Sequence, residues 1–170
     1  YGIRDYRGGG RSSARETAVR VVVGAVAKLI LAQKNIAIYA YTSQIGSIRL
    51  TSNSVDLSNI YTNDVHCPDN ATAEQMANYI KHINAEGDSI GGIVSCVIKG
   101  VPSGIGEPIY NKYESQLAAA MLSINAAKGF DFGSGFEQVS LKGSEMNDAF
   151  ICHNDKVRTA TNFSGGIQGG

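Results

Sequence analysis

The sequence predicts an α+β fold. Three observations carry that reading. A glycine-rich turn feeds a long apolar helical run, "AVRVVVGAVAKLILA". Two more runs have helical spacing, and they are mixed with alternating strand runs without a steady βαβ rhythm. The last third is rich in strand and turn signals.

The first element follows "RGGGRSSARET". Ser13 and Glu16 fit an S-x-x-E capping box, so Ser13 is the expected N-cap of a helix running to about Ala32. Ala18, Val21, Val22, Ala25, Val26, Leu29 and Ile30 cover more than one face, which predicts a largely buried helix. "IAIYAYTSQIGSIRL" alternates and reads as one or two strands. "TSNSVDLSNIYTNDVHCPDNA" is polar and irregular and reads as a surface excursion. Thr72 and Gln75 form a second capping box, opening a helix to about Ala85 that Gly87 stops. "IVSCVIKGV" is a strand, with Cys96 as a buried member, ended by "PSGIGEP". "NKYESQLAAAMLSINAAKG" is a third helix, stopped by Gly129. "FDFG" and "FEQVSLKG" read as β-rich, and "AFICHNDKVRTAT" as a hairpin turning at Asn154-Asp155.

The 170 residues hold 15 Lys+Arg and 15 Asp+Glu, a net charge of zero. A general nucleic-acid or membrane-surface role would want a basic excess, so any anion recognition is local. Three cysteines, without a disulfide-framework spacing, point to a reducing, cytoplasmic setting. "HC" at 66–67 and "CH" at 152–153 lack a C-x-x-C partner, and a structural reading is favoured over zinc. His82 on a polar helix is expected in solvent.

Arg7, Arg11 and Arg15 crowd the start of the first helix, its positive end. Glycines let backbone N–H groups approach an anion, Ser12 and Ser13 add hydroxyls, and guanidinium forks match phosphate or carboxylate. The alternative is that the arginines face water or pair with Asp5 and Glu16. No Walker loop, dinucleotide fingerprint or G-x-S-x-G elbow occurs, so residue chemistry alone reaches a globular domain with an anion site.

The ordered set "YGIRDYRGGGRSSARETAVRV", "CPD", "EGDSIGG", "GVPSGIGEP", "SINAAKGF", "GSEMND" and "TNFSGGIQGG" resembles chorismate synthase over essentially the whole chain. The resemblance implies a sandwich of antiparallel sheets packed around a helical layer, with residues 1–170 a central portion of one such domain. It implies the last step of the shikimate pathway, an anti 1,4-elimination of phosphate from 5-enolpyruvylshikimate 3-phosphate that gives chorismate. The implied cofactor is reduced FMN, joined by NADPH if the parent is bifunctional, and the implied assembly is a homotetramer without nucleic acid or membrane partners. Arg11, Ser12, Ser13, Asn125, Ala126 and Gly169 match stretches of the family's FMN site, and Arg15 is a further candidate for substrate or flavin anions. The family's catalytic histidines, its Lys-Pro-Thr-Ser-Ser type flavin loop and its Arg-His-Asp type segment have no counterpart among these residues. The chain is therefore expected to hold part of the cofactor site and no catalytic residue. It is either a portion of an active enzyme or an inactive module that binds anions or FMN.

Overall fold

A computed structural model describes residues 2–3, 5–51 and 55–170. Its elements are helices α1 (Thr17–Ala32), α2 (Asn70–Ala85) and α3 (Tyr113–Leu122), and strands β1 (Ala37–Ile45), β2 (Ile48–Arg49), β3 (Gly92–Lys99), β4 (Phe150–His153) and β5 (Lys156–Thr159). Both sheets are antiparallel, one ordered β2-β1-β3 and the other β4-β5. The α+β class read from the sequence is the class observed. The chain divides into two compact units, Gly24–Val101 and Tyr1–Val23 with Pro102–Gly170, and α1 begins in one and ends in the other.

In the unit Gly24–Val101, β1 turns into β2 through Gly46, whose φ of 53° is open to glycine without strain. A Cβ there would lie 2.5 Å from the Tyr79 ring, so the turn lies directly on α2. β1 pairs with β3 from Ala37↔Lys99 to Ile45↔Gly92, with a register shift between Thr42 and Gln44. Cys67, Ala73 and Met76 are buried under Ile45, Ile48, Leu50 and Val65, and Ile60 is buried too. With Pro68 these are the buried residues among those described.

Ile60, Cys67 and Pro68 come from the polar segment read as a surface excursion. Residues 52–54 of that segment lie outside the described residues. The rest is folded inward by its polar side chains. Asn63 pairs with the backbone of Cys67, its Nδ2 donating to the carbonyl at 2.7 Å and its Oδ1 accepting from the amide at 3.1 Å. The His66 carbonyl accepts from Thr42 N at 3.1 Å, which ties the loop to β1. These bonds satisfy backbone that would otherwise oppose burial.

The start of α2 also differs from the sequence reading. Asp69 is the N-cap, its Oδ2 accepting from Thr72 N at 2.7 Å and from Thr72 Oγ1 at 2.6 Å. Its carboxyl pKa is lowered, first by the Thr72 hydroxyl and then by the Thr72 amide. A carboxylate beside the helix N-terminus also has the favourable sign for the dipole, so Asp69 outcompetes Thr72 for the cap. The stop at Gly87 is as expected, with φ 76°. His82 is exposed, 3.3 Å from Glu86.

In the other unit, α3 ends at Leu122 rather than at Gly129. The Ser123 hydroxyl donates to the Ala120 carbonyl at 2.6 Å, and Ile124 N turns to Met121 O at 3.0 Å. The segments "FDFG" and "FEQVSLKG" are not strands: residues Gly135–Ser140 form a 3-10 turn. The hairpin at Asn154 (φ 51°) and Asp155 (φ 58°) is the one expected, with β4 and β5 on either side.

None of the buried residues lies in this unit, so hydrogen bonds order it. Asp148 Oδ1 accepts from Thr161 Oγ1 at 2.6 Å and from Phe163 N at 2.8 Å, and its Oδ2 from Ser164 N at 2.8 Å. The Phe163 carbonyl then accepts from Ser134 N at 2.9 Å and from Gln138 Nε2 at 2.6 Å. Gly133 has φ 63°, and a Cβ on it would overlap the Phe163 carbonyl, so only glycine permits the approach.

The first helix is the largest departure. No residue of α1 is buried, and Val19, Val21, Val22, Val23, Val26, Leu29 and Ile30 are 54–70% exposed. Cys96, expected inside, is exposed as well, and so is Val94 on the same face of β3, so that face is uncovered among the described residues. The chain exposes 13076 Å². A folded monomer of 18.0 kDa exposes roughly 8,000 Å² by the usual scaling, and two separate bodies of half that mass roughly 9,700 Å². The apolar pattern of α1 is real, but no described element covers it.

Two measurements check this account. Met76→Ala should cost about 2–5 kcal/mol in chemical denaturation, because its side chain is fully enclosed, whereas Met121→Ala at 38% exposure should stay within about 0.5 kcal/mol. Equal losses would place the core elsewhere. Asp148, with its pKa lowered to about 2 by the Thr161 hydroxyl foremost, gives stability that is fully present above its unfolded value near ~3.9 and is lost as pH falls toward 2. Thermal melts of wild type and Asp148→Asn should therefore differ most at pH values above ~4 and converge near pH ~2. A constant gap would show that the carboxylate's charge is not what holds the loop.

Candidate functional site

The entrance to α1 is built from two successive 3-10 turns, Gly10–Ser12 and Ala14–Glu16. Gly10 has φ 54°, and a Cβ on Gly8 or Gly10 would meet nothing within 4 Å, so this backbone is open on its outer side. Ser13 is the N-cap of the second turn, which runs straight into Thr17 and α1. Its Oγ accepts from Arg15 N at 3.4 Å, a long bond. The capping position is as expected, but the first turn is tighter than an α-helix, and Glu16 contributes its amide to the Ser13 carbonyl at 3.1 Å. Thr17 Oγ1 donates to Ala14 O at 2.7 Å and closes the turn.

The three arginines separate here. Arg7 is paired with Asp5, its Nε donating to Oδ1 at 2.9 Å and its Nη2 to Oδ2 at 3.0 Å. That contact holds the Asp5 carboxyl below its ordinary value and raises Arg7. Arg11 and Arg15 are exposed and have no ion-pair partner among the described residues. Pairing with acids therefore accounts for one arginine of the cluster. Two guanidinium groups remain at a helix entrance whose own potential is positive.

The turn after α3 meets this entrance. Asn125 Nδ2 donates to the Ser12 carbonyl at 3.4 Å, and Arg20 Nη1 on α1 donates to Ser123 Oγ at 2.6 Å. Ala126 follows at φ 65°, a left-handed conformation that costs an alanine energy and is kept only where surroundings enforce it. So the structure brings Arg11, Ser12, Ser13, Asn125 and Ala126 together in one unit. Gly169 is placed differently. A Cβ on it would meet nothing within 4 Å, while its neighbour Gly170 lies against Lys112 and Gly106. Gly106, at φ 118°, would collide with the Gly170 carbonyl if it carried a side chain.

Sequence reasoning missed the residues that support this arrangement. Asp148, Arg20 and Ser123 act through bonds spanning 13 to 103 positions, and no local pattern announces such partners. Among the described residues no three His, Cys, Asp or Glu side chains converge on a point that would hold a metal. His66 and His82 lie in the unit Gly24–Val101, and His153 lies on β4. Cys67, Cys96 and Cys152 are all free thiols. No helix among the described residues is long and apolar enough to cross a membrane.

A family model described as chorismate synthase matches residues 1–170. Chorismate synthase of Phocaeicola vulgatus is 59% identical over 172 residues, covering 100% of this chain and 48% of that protein. The enzyme of Bacteroides thetaiotaomicron is 58% identical, with the same coverage of 100% and 48%. A crystal structure of chorismate synthase superimposes with a TM-score of 0.82 at 29% identity, covering 94% of this chain and 52% of that one. The chain spans about half the length of the curated relatives it matches. With its sequence motifs, its α+β architecture and these relatives in agreement, the chain belongs to the chorismate synthase family.

Proposed function

We propose that these residues form part of a chorismate synthase that eliminates phosphate from 5-enolpyruvylshikimate 3-phosphate, with reduced FMN as cofactor. The observation that carries the reading is the meeting of the Arg11–Ser13 turn with Asn125, beside two arginines that have no acidic partner among the described residues. Residues 1–170 would be one portion of a single domain. The parent is proposed to be a cytoplasmic homotetramer, and the three free thiols agree with a reducing compartment.

The residues present fit a flavin phosphate. The donor set consists of guanidinium forks and serine hydroxyls beside an open glycine backbone at a helix entrance, which is the chemistry that anions select. Reduced FMN, when bound, supplies electron density transiently, and the overall reaction has no net redox change. Arg11, Ser12 and Ser13 would hold it from one side, and Asn125, Ala126 and Gly169 from the other. Arg15 would face the anionic groups of substrate or flavin, where a fixed cation stabilises charge as the phosphate leaves. None of these site residues is a histidine, so proton transfer is assigned to none of them. The second reading, an anion- or FMN-binding module that catalyses nothing by itself, rests on the same entrance and on the uncovered apolar face of α1.

Titration of reduced FMN into the full-length protein tests the site. Arg11→Lys keeps the charge and loses the fork, so affinity should fall; Arg11→Ala should fall further, on the order of tenfold to a hundredfold. Both variants should retain the fold, with Arg11→Ala melting no lower than wild type, because removing a cation from a helix start relieves dipole repulsion. Equal affinity in all three proteins would remove Arg11 from the site.

A further inference from the structure

We propose that Arg20 is a positioning residue for this site, acting through Ser123. The inference rests on the flavin-site reading above. Arg20 lies in the first turn of α1, and Ser12 and Ser13 lie on the 3-10 turns that lead into that helix. The residues that leave α3 meet both. Ser123 meets Arg20 through the 2.6 Å bond to its hydroxyl, and Asn125 meets the Ser12 carbonyl at 3.4 Å.

The Ser123 hydroxyl is used in both directions. It accepts from the guanidinium and donates to the Ala120 carbonyl at 2.6 Å, which fixes its rotamer. Ser123 is also the C-cap of α3, so the Arg20 charge sits at the negative end of that helix. Hydrogen bond and dipole therefore pull the same way. Together they hold the end of α3 against α1, at the place where the chain must turn into the left-handed Ala126. The Asn125 contact at 3.4 Å is too long to do this alone. Without Arg20, Asn125 and Ala126 would lose their fixed distance to the Arg11–Ser13 turn, and a site loosened by its supporting contacts binds less well.

The test compares reduced-FMN affinity in the full-length protein and its Arg20→Ala, Arg20→Lys, Ser123→Ala and double Arg20→Ala/Ser123→Ala variants, with Arg11→Ala as the control and thermal melts alongside. Arg20→Ala and Ser123→Ala should each weaken FMN binding by about tenfold, the worth of one hydrogen bond to a charged group. The double variant should be no weaker than Arg20→Ala, because one contact is removed either way. Arg20→Lys should recover part of the affinity, since the ammonium keeps the charge at the end of α3. Ser123→Ala keeps the reading valid should Arg20→Ala fail to fold. If Arg11→Ala weakens binding while Arg20→Ala and Ser123→Ala lower only the melting temperature, the positioning role is overturned and the site stands. If none of the variants, Arg11→Ala included, changes affinity, both are overturned.

Discussion

The carboxylate of Asp148 holds together a part of the molecule that has no hydrophobic core. The buried side chains among the described residues lie in the unit Gly24–Val101, and none of them lies in the unit with the candidate site. Its order comes from polar contacts made at close range. Asp148 gathers Thr161, Phe163 and Ser164, and the Phe163 carbonyl passes the constraint to Ser134 and Gln138. Glycines are required where backbone meets backbone, as at Gly133 under the Phe163 carbonyl and Gly106 under Gly170. A glycine-rich run of this kind has high conformational entropy when free, so these bonds offset the cost of ordering it.

The same dependence explains the entrance to α1. Three arginines at the positive end of a helix oppose its dipole, and Asp5 relieves one of them. The other two become favourable when an anion occupies the entrance, and the substrate and cofactor proposed above are both anionic. Gly10 and Ala126 adopt left-handed conformations on the two turns that meet there. The apolar residues of α1 express a second dependence. They are patterned for burial and are exposed in this chain. The relatives are about twice as long, and in the proposed enzyme the remaining length would supply the cover.

Much of the fold was legible where the signal is local. The alternation of β1 and the Asn154-Asp155 turn depend on neighbours in sequence, and both stand where the residues place them. The readings that failed depended on distant partners or on competition. The loop from Leu57 to Cys67 is polar because its asparagine and histidine groups serve its own backbone, and that service buries Ile60 and Cys67. Asp69 displaced Thr72 as the cap because a carboxylate is the stronger acceptor. α3 stopped at Leu122 because Ser123 turns back on Ala120 before any glycine is reached. Of the site, Arg11 to Ser13 and Asn125-Ala126 were recognisable as family motifs. Their meeting, and the Arg20 contact behind it, span more than 100 positions, as the 103 between Arg20 and Ser123 shows, and have no local signature.

In the function proposed above, this chain holds one wall of a chorismate synthase site that the rest of the family's length completes. The most direct measurement is chorismate formation from 5-enolpyruvylshikimate 3-phosphate with chemically reduced FMN under anaerobic conditions, run on the 170-residue chain and on the full-length protein side by side. The account predicts turnover by the full-length protein and none by the chain alone. Comparable turnover by the chain, or none by the full-length protein, would contradict it.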